Sequence, residues 1–293
     1  MTFSSGGKFE GGRVQTGGRG PSGGLAVGGG LGGLVLVALF ILLQGGSASD
    51  VIQAVSVDRQ QVAVGSIGAC TAEEANTSRD CRLSATVQAL DAYWEPLVNN
   101  RGAVFVMPQV VSFSGATGTA CGNATSAVGP FYCPADETIY IDLSFYDLLS
   151  SEFGTQDGPL AEEYITAHEY GHHIQNLLGT MNQVGQDTGA TSGSVRLELQ
   201  ADCYAGMWAG QAATTVDPDT GVTFLDPITA DQLANAQAAA QGVGDDRIQQ
   251  NAGVSVNPDT WTHGSAQQRR DWFMVGYQIG TLAACDTFTA TNL

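Results

Sequence analysis

The spacing of apolar residues along the chain predicts that helices outnumber strands. Between Arg82 and Asn99 the apolar side chains recur with the period of an α-helix. Another helix is predicted to begin at Pro159, since proline suits a first helical turn, and to end near Leu178–Gly179, where glycine stops a helix. The other predicted helices are a short one over residues 144–153 and longer ones over 194–213, 231–241 and 267–282.

Two segments with the pattern of strands precede the helix that begins at Pro159. Residues 103–113 are rich in Val and Phe, and residues 137–143 alternate between polar and apolar side chains. This order of elements predicts an α+β domain, mostly helical with one small sheet, over residues 81–293.

The longest apolar run lies near the N-terminus and predicts a transmembrane helix. No charged residue occurs between Gly20 and Ser49, and residues 24–44 approach the ~20 residues that a helix needs to cross a bilayer. Residues 1–23 are glycine-rich and polar, so we expect them to be a disordered tail. Residues 45–80 mix small and polar side chains, which predicts a linker followed by a disulfide-pinned loop.

The charge distribution orients this predicted anchor and limits the partners. The formal net charge is −18, yet three basic residues, Lys8, Arg13 and Arg19, precede the apolar run. The positive-inside rule then predicts a single-pass membrane protein with residues 1–23 in the cytoplasm and the domain outside. After Arg19 the chain carries eight arginines against 28 acidic residues. Such a surface repels phosphate, so we expect no nucleic-acid partner.

A cleaved signal peptide is the alternative interpretation of the apolar run. Gly46, Ser47 and Ala48 provide a small-residue cleavage site directly after it. The long tail before the run favours a retained anchor. Both interpretations export the predicted domain.

The cysteine content fits an oxidising compartment, since six cysteines occur in a chain with an export signal. Six cysteines allow many pairing patterns, and sequence alone does not choose among them. Short separations suggest the pairs Cys70–Cys81 and Cys121–Cys133, which leaves Cys203–Cys285. Buried free thiols are one alternative, and Cys203 as a metal ligand is a weaker one.

One pentapeptide indicates a metal site: His168-Glu169-Tyr170-Gly171-His172, an HExxH sequence. Residues four apart on a helix lie on one face, so both imidazoles can bind one zinc ion. A catalytic zinc keeps one coordination position for water, and Glu169 is placed to take a proton from that water. A helical cluster of His and Glu without a metal is the alternative.

The third ligand is predicted on the next helix. Glu198 lies 26 residues after His172, and a glycine-rich connection can bring the two helices together. Asp202 lies one helical turn beyond Glu198 and faces the same way, where it can accept the far N–H of a ligand histidine. A solvated helix face is the alternative, but the neighbouring residues are apolar or small, and a buried carboxylate pair needs a cation.

His263 is the candidate for a catalytic hydrogen-bond donor outside the two helices. A loop histidine directly before the last predicted helix can reach the cleft and stabilise the oxyanion, although a capping or structural role is equally consistent with its position. Other possible donors are Arg196, Arg247, Arg269 and Tyr140.

Three further residues have structural interpretations: His173 points away from the ligand face, and Glu162 and Glu163 complement the helix dipole.

Several segments in this order resemble one protein family. They are Gly129–Pro134, Ala167–Asn176, Ser194–Cys203, His263–Ser265 and Gln268–Arg269. Together they are similar to the putative neutral zinc metallopeptidase family, the YpfJ-like proteins, over about residues 80–285. The resemblance implies a membrane-anchored, zincin-like fold, and the Glu-x-x-x-Asp pattern at 198 and 202 also looks like that of the thermolysin-like gluzincins. It implies His168, His172 and Glu198 as zinc ligands, Glu169 as base and Asp202 behind a ligand histidine.

The predicted function is hydrolysis of a peptide or protein substrate with one zinc ion, with Glu169 as general base and His263 at the oxyanion. Residues 137–143 are predicted to be an edge strand that pairs with an extended substrate. An exported zinc-binding scaffold without turnover is the alternative, although structural zinc usually has four protein ligands and only three good candidates occur here. A non-peptide hydrolase is a third interpretation, because the motif does not fix the bond that is cleaved.

Overall fold

The computed structural model describes residues 2–17, 65–147, 158–185 and 187–293. The helices of these ranges are α1 (Ala72–Thr77), α2 (Arg79–Asn100), α3 (Pro159–Leu177), α4 (Gly193–Gln211), α5 (Ala230–Gly242), α6 (Asp245–Asn251) and α7 (Ala266–Ile279). None of them is long and apolar enough to span a bilayer. The predicted anchor, residues 24–44, and most of the helix predicted at 144–153 lie outside the described ranges.

The long predicted helices are confirmed to within a few residues at each end. Helix α3 begins at Pro159 and is followed by Gly179, whose φ of 76° is the left-handed conformation that glycine tolerates. Helix α7 begins with a capping box in which Ser265 and Gln268 bond each other's backbone N–H groups. The sequence prediction missed two short helices, α1 and α6, because six or seven residues carry too little periodicity.

The strands are β1 (Lys8–Phe9), β2 (Gln15–Thr16), β3 (Gly65–Ser66), β4 (Cys70–Thr71), β5 (Gln109–Phe113), β6 (Ala116–Thr119), β7 (Gly122–Thr125), β8 (Phe131–Cys133) and β9 (Thr138–Asp142). Among the described residues, the main sheet has five strands in the order β3-β2-β5-β9-β8, with β5 parallel to both β2 and β9. Two smaller sheets pair β1 with β4 and β6 with β7. The α+β prediction is confirmed, but the described residues form three sheets where one small sheet was predicted.

The prediction of an edge strand at residues 137–143 is wrong. Strand β9 lies inside the sheet, between β5 and β8, and all five of its residues are buried. Because β5 and β8 pair with its two backbone edges, β9 has no free edge with which to bind an extended substrate. Of the predicted strand 103–113, only Gln109–Phe113 joins the sheet.

The predicted disorder of the N-terminal tail is wrong for residues 2–17. Phe3, Phe9 and Val14 are almost fully buried, and Gln15–Thr16 form strand β2. The glycine-rich composition gave no sign of this order, because three spaced apolar residues bury themselves against a core that the rest of the chain builds.

The helices pack closely where glycines remove side chains. A Cβ atom at Gly206 or Gly276 would overlap the backbone of the facing helix in the contact between α4 and α7.

The disulfide between Cys203 and Cys285 links α4 to the chain after α7. The pairs Cys70–Cys81 and Cys121–Cys133 also form, so the predicted disulfide pattern is confirmed and the alternative of Cys203 as a metal ligand is excluded.

Candidate metal centre

Helix α3 brings the two motif histidines together inside the domain. His168 and His172 are 5% and 8% exposed, and their ring centroids lie 4.8 Å apart. Gly171 lets α4 approach at this point, because a Cβ atom there would lie 3.1 Å from the carbonyl oxygen of Ala201. The glycine of the motif therefore sets the distance between the two helices.

Glu198 on α4 reaches both imidazoles. Its Oε2 atom lies 3.2 Å from Nε2 of His168, and its Oε1 atom lies 3.4 Å from Nε2 of His172. For metal–ligand bonds of about 2.1 Å, two corners of a tetrahedron are roughly 3.4 Å apart. The three donors are therefore spaced as ligands of one zinc ion, and two imidazoles with one carboxylate are a donor set that catalytic zinc uses.

The far nitrogen of each histidine has its own acceptor. Nδ1 of His168 lies 2.8 Å from Oδ1 of Asp202, and Nδ1 of His172 lies 2.8 Å from Oε1 of Gln175. Because these acceptors hold the Nδ1–H tautomer, Nε2 of each ring is directed at the metal position. Gln175 in turn donates to Gln200, so the orientation of His172 depends on contacts with α4.

A buried ion pair holds Asp202 behind the first histidine. Nε of Arg269 donates to Oδ2 of Asp202 at 2.8 Å and Nη2 donates to Oδ1 at 3.0 Å, while the hydroxyl of Tyr164 donates to Oδ1 at 2.5 Å. Burial raises the pKa of Asp202, but the Arg269 guanidinium and His168 outweigh it and lower this pKa below its ordinary value. Asp202 is therefore an ionised acceptor for His168.

Glu169 lies in a largely dry environment. It is 7% exposed, and burial raises the pKa of its carboxyl group above the ordinary value, against the opposing effect of the two neighbouring histidines. A raised pKa brings a carboxylate closer to the range in which it can accept a proton and return it.

His263 faces the same site from the loop before α7. Its pKa is raised, because Asp245 at 3.1 Å and the Glu198 charge outweigh the effect of burial. Oδ2 of Asp245 also accepts the backbone N–H groups of Thr262, His263 and Gly264 at 2.8, 2.7 and 3.0 Å. Asp245 therefore fixes both the loop and the ring.

Three of the four alternative donors form hydrogen bonds with other groups of the protein. Arg269 is engaged by Asp202, and Arg196 donates to carbonyl groups of Thr287 and Ala290 near the C-terminus. Tyr140 donates to Asp136 at 2.9 Å.

His173 and Glu162 on α3 form contacts with other parts of the domain. Nε2 of His173 donates to the carbonyl of Val106 at 2.6 Å and its Nδ1 lies 3.1 Å from the hydroxyl of Tyr132, which fits the predicted packed histidine. Glu162 does more than complement the helix dipole, because it forms ion pairs with Arg79 at 2.7 Å and Arg82 at 2.5 Å.

Sequence reasoning missed Tyr164, Gln175 and Asp245. Tyr164 and Gln175 lie one helical turn before His168 and three residues after His172, so helical spacing from the motif was the signal that could have found them. Asp245 lies 18 residues before His263 in sequence and in a different element, and no local pattern connects the two.

The site thus joins an HExxH sequence on one helix to a glutamate on the next helix. The profile of the family described as "Putative neutral zinc metallopeptidase" matches residues 4–288, and the chain belongs to this family. An uncharacterized protein of Mycobacterium tuberculosis is 51% identical over 224 residues, 76% of this chain and 75% of its own length. The uncharacterized protein YpfJ of Escherichia coli K12 is 44% identical over 201 residues, 67% of this chain and 66% of its own length. No solved structure matches the chain significantly.

Proposed function

We propose that the protein is a zinc-dependent peptidase with His168, His172 and Glu198 as the ligands of one zinc ion. The observation that carries the proposal is the spacing of the three donors, 3.2 and 3.4 Å between each imidazole and the carboxylate. Three protein ligands leave the fourth position of a tetrahedron for water, as in catalytic rather than structural zinc sites. The family description supports zinc and peptide hydrolysis.

When bound, zinc lowers the pKa of its water to about 7 and polarises the carbonyl that is attacked. Glu169 takes a proton from the water and delivers it to the leaving amine. His263, held by Asp245, donates a hydrogen bond to the oxyanion. Asp202 keeps His168 in the tautomer that presents Nε2, and Gln175 does the same for His172.

We further propose that the reaction takes place outside the cytoplasm. Three disulfides support an exported domain, since disulfides persist in oxidising compartments. The apolar run at residues 24–44 supports attachment of this domain to the membrane. The substrate is then a peptide or protein of the extracytoplasmic space.

Replacing Glu169 by Gln tests the proposed base. The variant should retain zinc at the wild-type stoichiometry and lose the cleavage of casein and of a peptide library, because an amide accepts no proton from water. Glu95→Gln, at an exposed position of α2, is the matched control and should cleave at the wild-type rate.

The outcomes separate the alternatives. Cleavage by Glu169→Gln at the wild-type rate would show that another group is the base. Stoichiometric zinc without cleavage of any peptide by the wild type would favour the zinc-binding scaffold, and cleavage of ester or amide substrates but not peptides would favour a non-peptide hydrolase.

A further inference from the structure

The N-terminal segment, residues 2–17, is packed into the domain that carries the metal centre. Phe3 is 1% exposed and Phe9 is 3% exposed, and the two rings meet edge to face with centroids 5.2 Å apart. Phe9 also stacks on Phe224, which belongs to the chain between α4 and α5, at 6.3 Å. These side chains are part of the same hydrophobic core as the buried face of α3.

Hydrogen bonds fix the backbone of this segment at several points. Asn76 on α1 bonds both the N–H and the carbonyl of Phe3, at 2.7 and 3.1 Å. The N–H of Ser4 donates to Phe224 at 3.0 Å, and the carbonyl of Gly7 accepts from Ala72 at 3.0 Å. The contacts involve two separate parts of the domain, α1 and the chain between α4 and α5, so the segment has one defined position.

Strand β2 of this segment is an inner strand of the main sheet. Gln15 pairs with Ser66 of β3 on one side and with Val111 of β5 on the other. Without β2, strand β5 would lose a neighbour and β3 would leave the sheet. The segment therefore completes the sheet.

The segment also contacts the helix of the HExxH motif through one carboxylate. Arg13 donates to both oxygens of Asp91 on α2, at 2.6 and 2.8 Å. The hydroxyl of Tyr170, inside the motif, donates to Oδ1 of Asp91 at 2.7 Å. Tyr170 is two residues from each ligand histidine and therefore lies on the opposite face of α3. Arg13 and Asp91 thus bind α3 on the face opposite the ligand histidines.

We propose that residues 2–17 belong to the catalytic domain. They lie in the same compartment as the metal centre and brace the HExxH helix through Arg13, Asp91 and Tyr170. Neighbouring strands of a sheet are about 4.8 Å apart, whereas the hydrocarbon core of a bilayer is about 30 Å thick. Two strands of one sheet cannot lie on opposite sides of a membrane. A cytoplasmic tail and an exported domain separated by one crossing are incompatible with this packing. The family profile begins at residue 4, which supports the segment as part of the family's common unit.

Labelling of single cysteines in the full-length protein tests the shared compartment. Glu10 and Ser255 are exposed, one in the segment and one in the domain, and all six native cysteines are paired. Cells that express Glu10→Cys or Ser255→Cys are treated with a membrane-impermeant maleimide before and after permeabilisation, with the wild type as the unlabelled control. The proposal expects both positions to label under the same conditions.

Labelling of Ser255→Cys in intact cells together with labelling of Glu10→Cys only after permeabilisation would overturn the proposal. Labelling of both only after permeabilisation would support the shared compartment while contradicting export. This test does not depend on peptidase activity, so its failure and that of the proposed function are distinguishable.

The brace is tested by zinc affinity, measured by competition with a chelator at a temperature where each variant is fully folded. Arg13→Met should weaken zinc binding by about tenfold, the lower end of the range for residues that support metal ligands, and Arg13→Lys should restore part of the loss. Arg270→Met is the matched control, since Arg270 forms an exposed pair with Asp271. Equal zinc affinity of Arg13→Met and Arg270→Met would show that the segment does not brace the helix.

Discussion

Oδ1 of Asp245 lies 3.1 Å from Nδ1 of His263, while Oδ2 of the same carboxylate accepts the backbone N–H of His263 at 2.7 Å. Because these hydrogen bonds favour the charged form, they lower the pKa of Asp245 in spite of its burial. An ionised carboxylate accepts only, so Nδ1 of His263 carries a hydrogen. Nε2 of His263 then carries one only in the imidazolium form.

Asp245→Asn should shift the alkaline limb of the pH profile of kcat/KM to lower pH. Asp245 raises the pKa of His263, so its removal lowers that pKa, and the donating imidazolium is lost earlier as the pH rises. His263→Ala should lower kcat by about 10²-fold or more at all pH values below the limb, as removal of an oxyanion donor does elsewhere.

The exposed carboxylate of Asp259 provides the control for this pH profile. Asp259→Asn should leave both limbs unchanged. An unshifted alkaline limb in Asp245→Asn would mean that the protonation of His263 does not govern activity.

Arg269→Met should destabilise the protein by about 3–5 kcal/mol, because it leaves the fully buried Asp202 carboxylate without its guanidinium partner. Zinc binding should weaken in the same variant, since Asp202 is then a less firmly held acceptor for His168. The measurements are urea unfolding and chelator competition, with Arg270→Met as the exposed neighbour. Similar unfolding curves for the two variants would contradict the prediction.

Gly171→Ala should weaken zinc binding, because the added methyl group would lie 3.1 Å from the carbonyl oxygen of Ala201 and would push α3 and α4 apart. The separation of these helices sets the distance between the histidines and Glu198. Gly68→Ala is the matched control, since a Cβ atom there meets no atom within 4 Å. Wild-type zinc affinity in Gly171→Ala would show that zinc binding does not depend on this helix separation.

Zinc binding at pH 7 should release about one proton from His168. Burial lowers the pKa of this imidazole, but Asp202 and Glu198 outweigh it and raise the pKa to about 10, so the metal-free site holds a proton at pH 7. Zinc affinity should therefore rise with pH up to about pH 10. Calorimetry in buffers with different ionisation enthalpies measures the released protons, and identical heats in all buffers would contradict the prediction.

The sequence by itself determined the local part of this protein. The HExxH motif, Glu198 and Asp202 were predicted because residues four apart share a helix face whatever the rest of the chain does. The three disulfides followed from cysteine separation, and the long helices from periodicity and from Pro159 and Gly179. Most of these signals are local, whereas the pair Cys203–Cys285 was inferred only as the two cysteines that remain, since 82 residues separate them.

Tertiary structure alone decided which distant groups meet. Arg269 lies behind Asp202, Asp245 orients His263, and Arg13 reaches Asp91, because packed helices and an inner strand bring them together. A glycine-rich segment with three spaced apolar residues has no period, so its order depends on a core built by other elements. Side-chain contacts between distant segments depend on how helices and strands pack, and no local pattern in the chain records that packing.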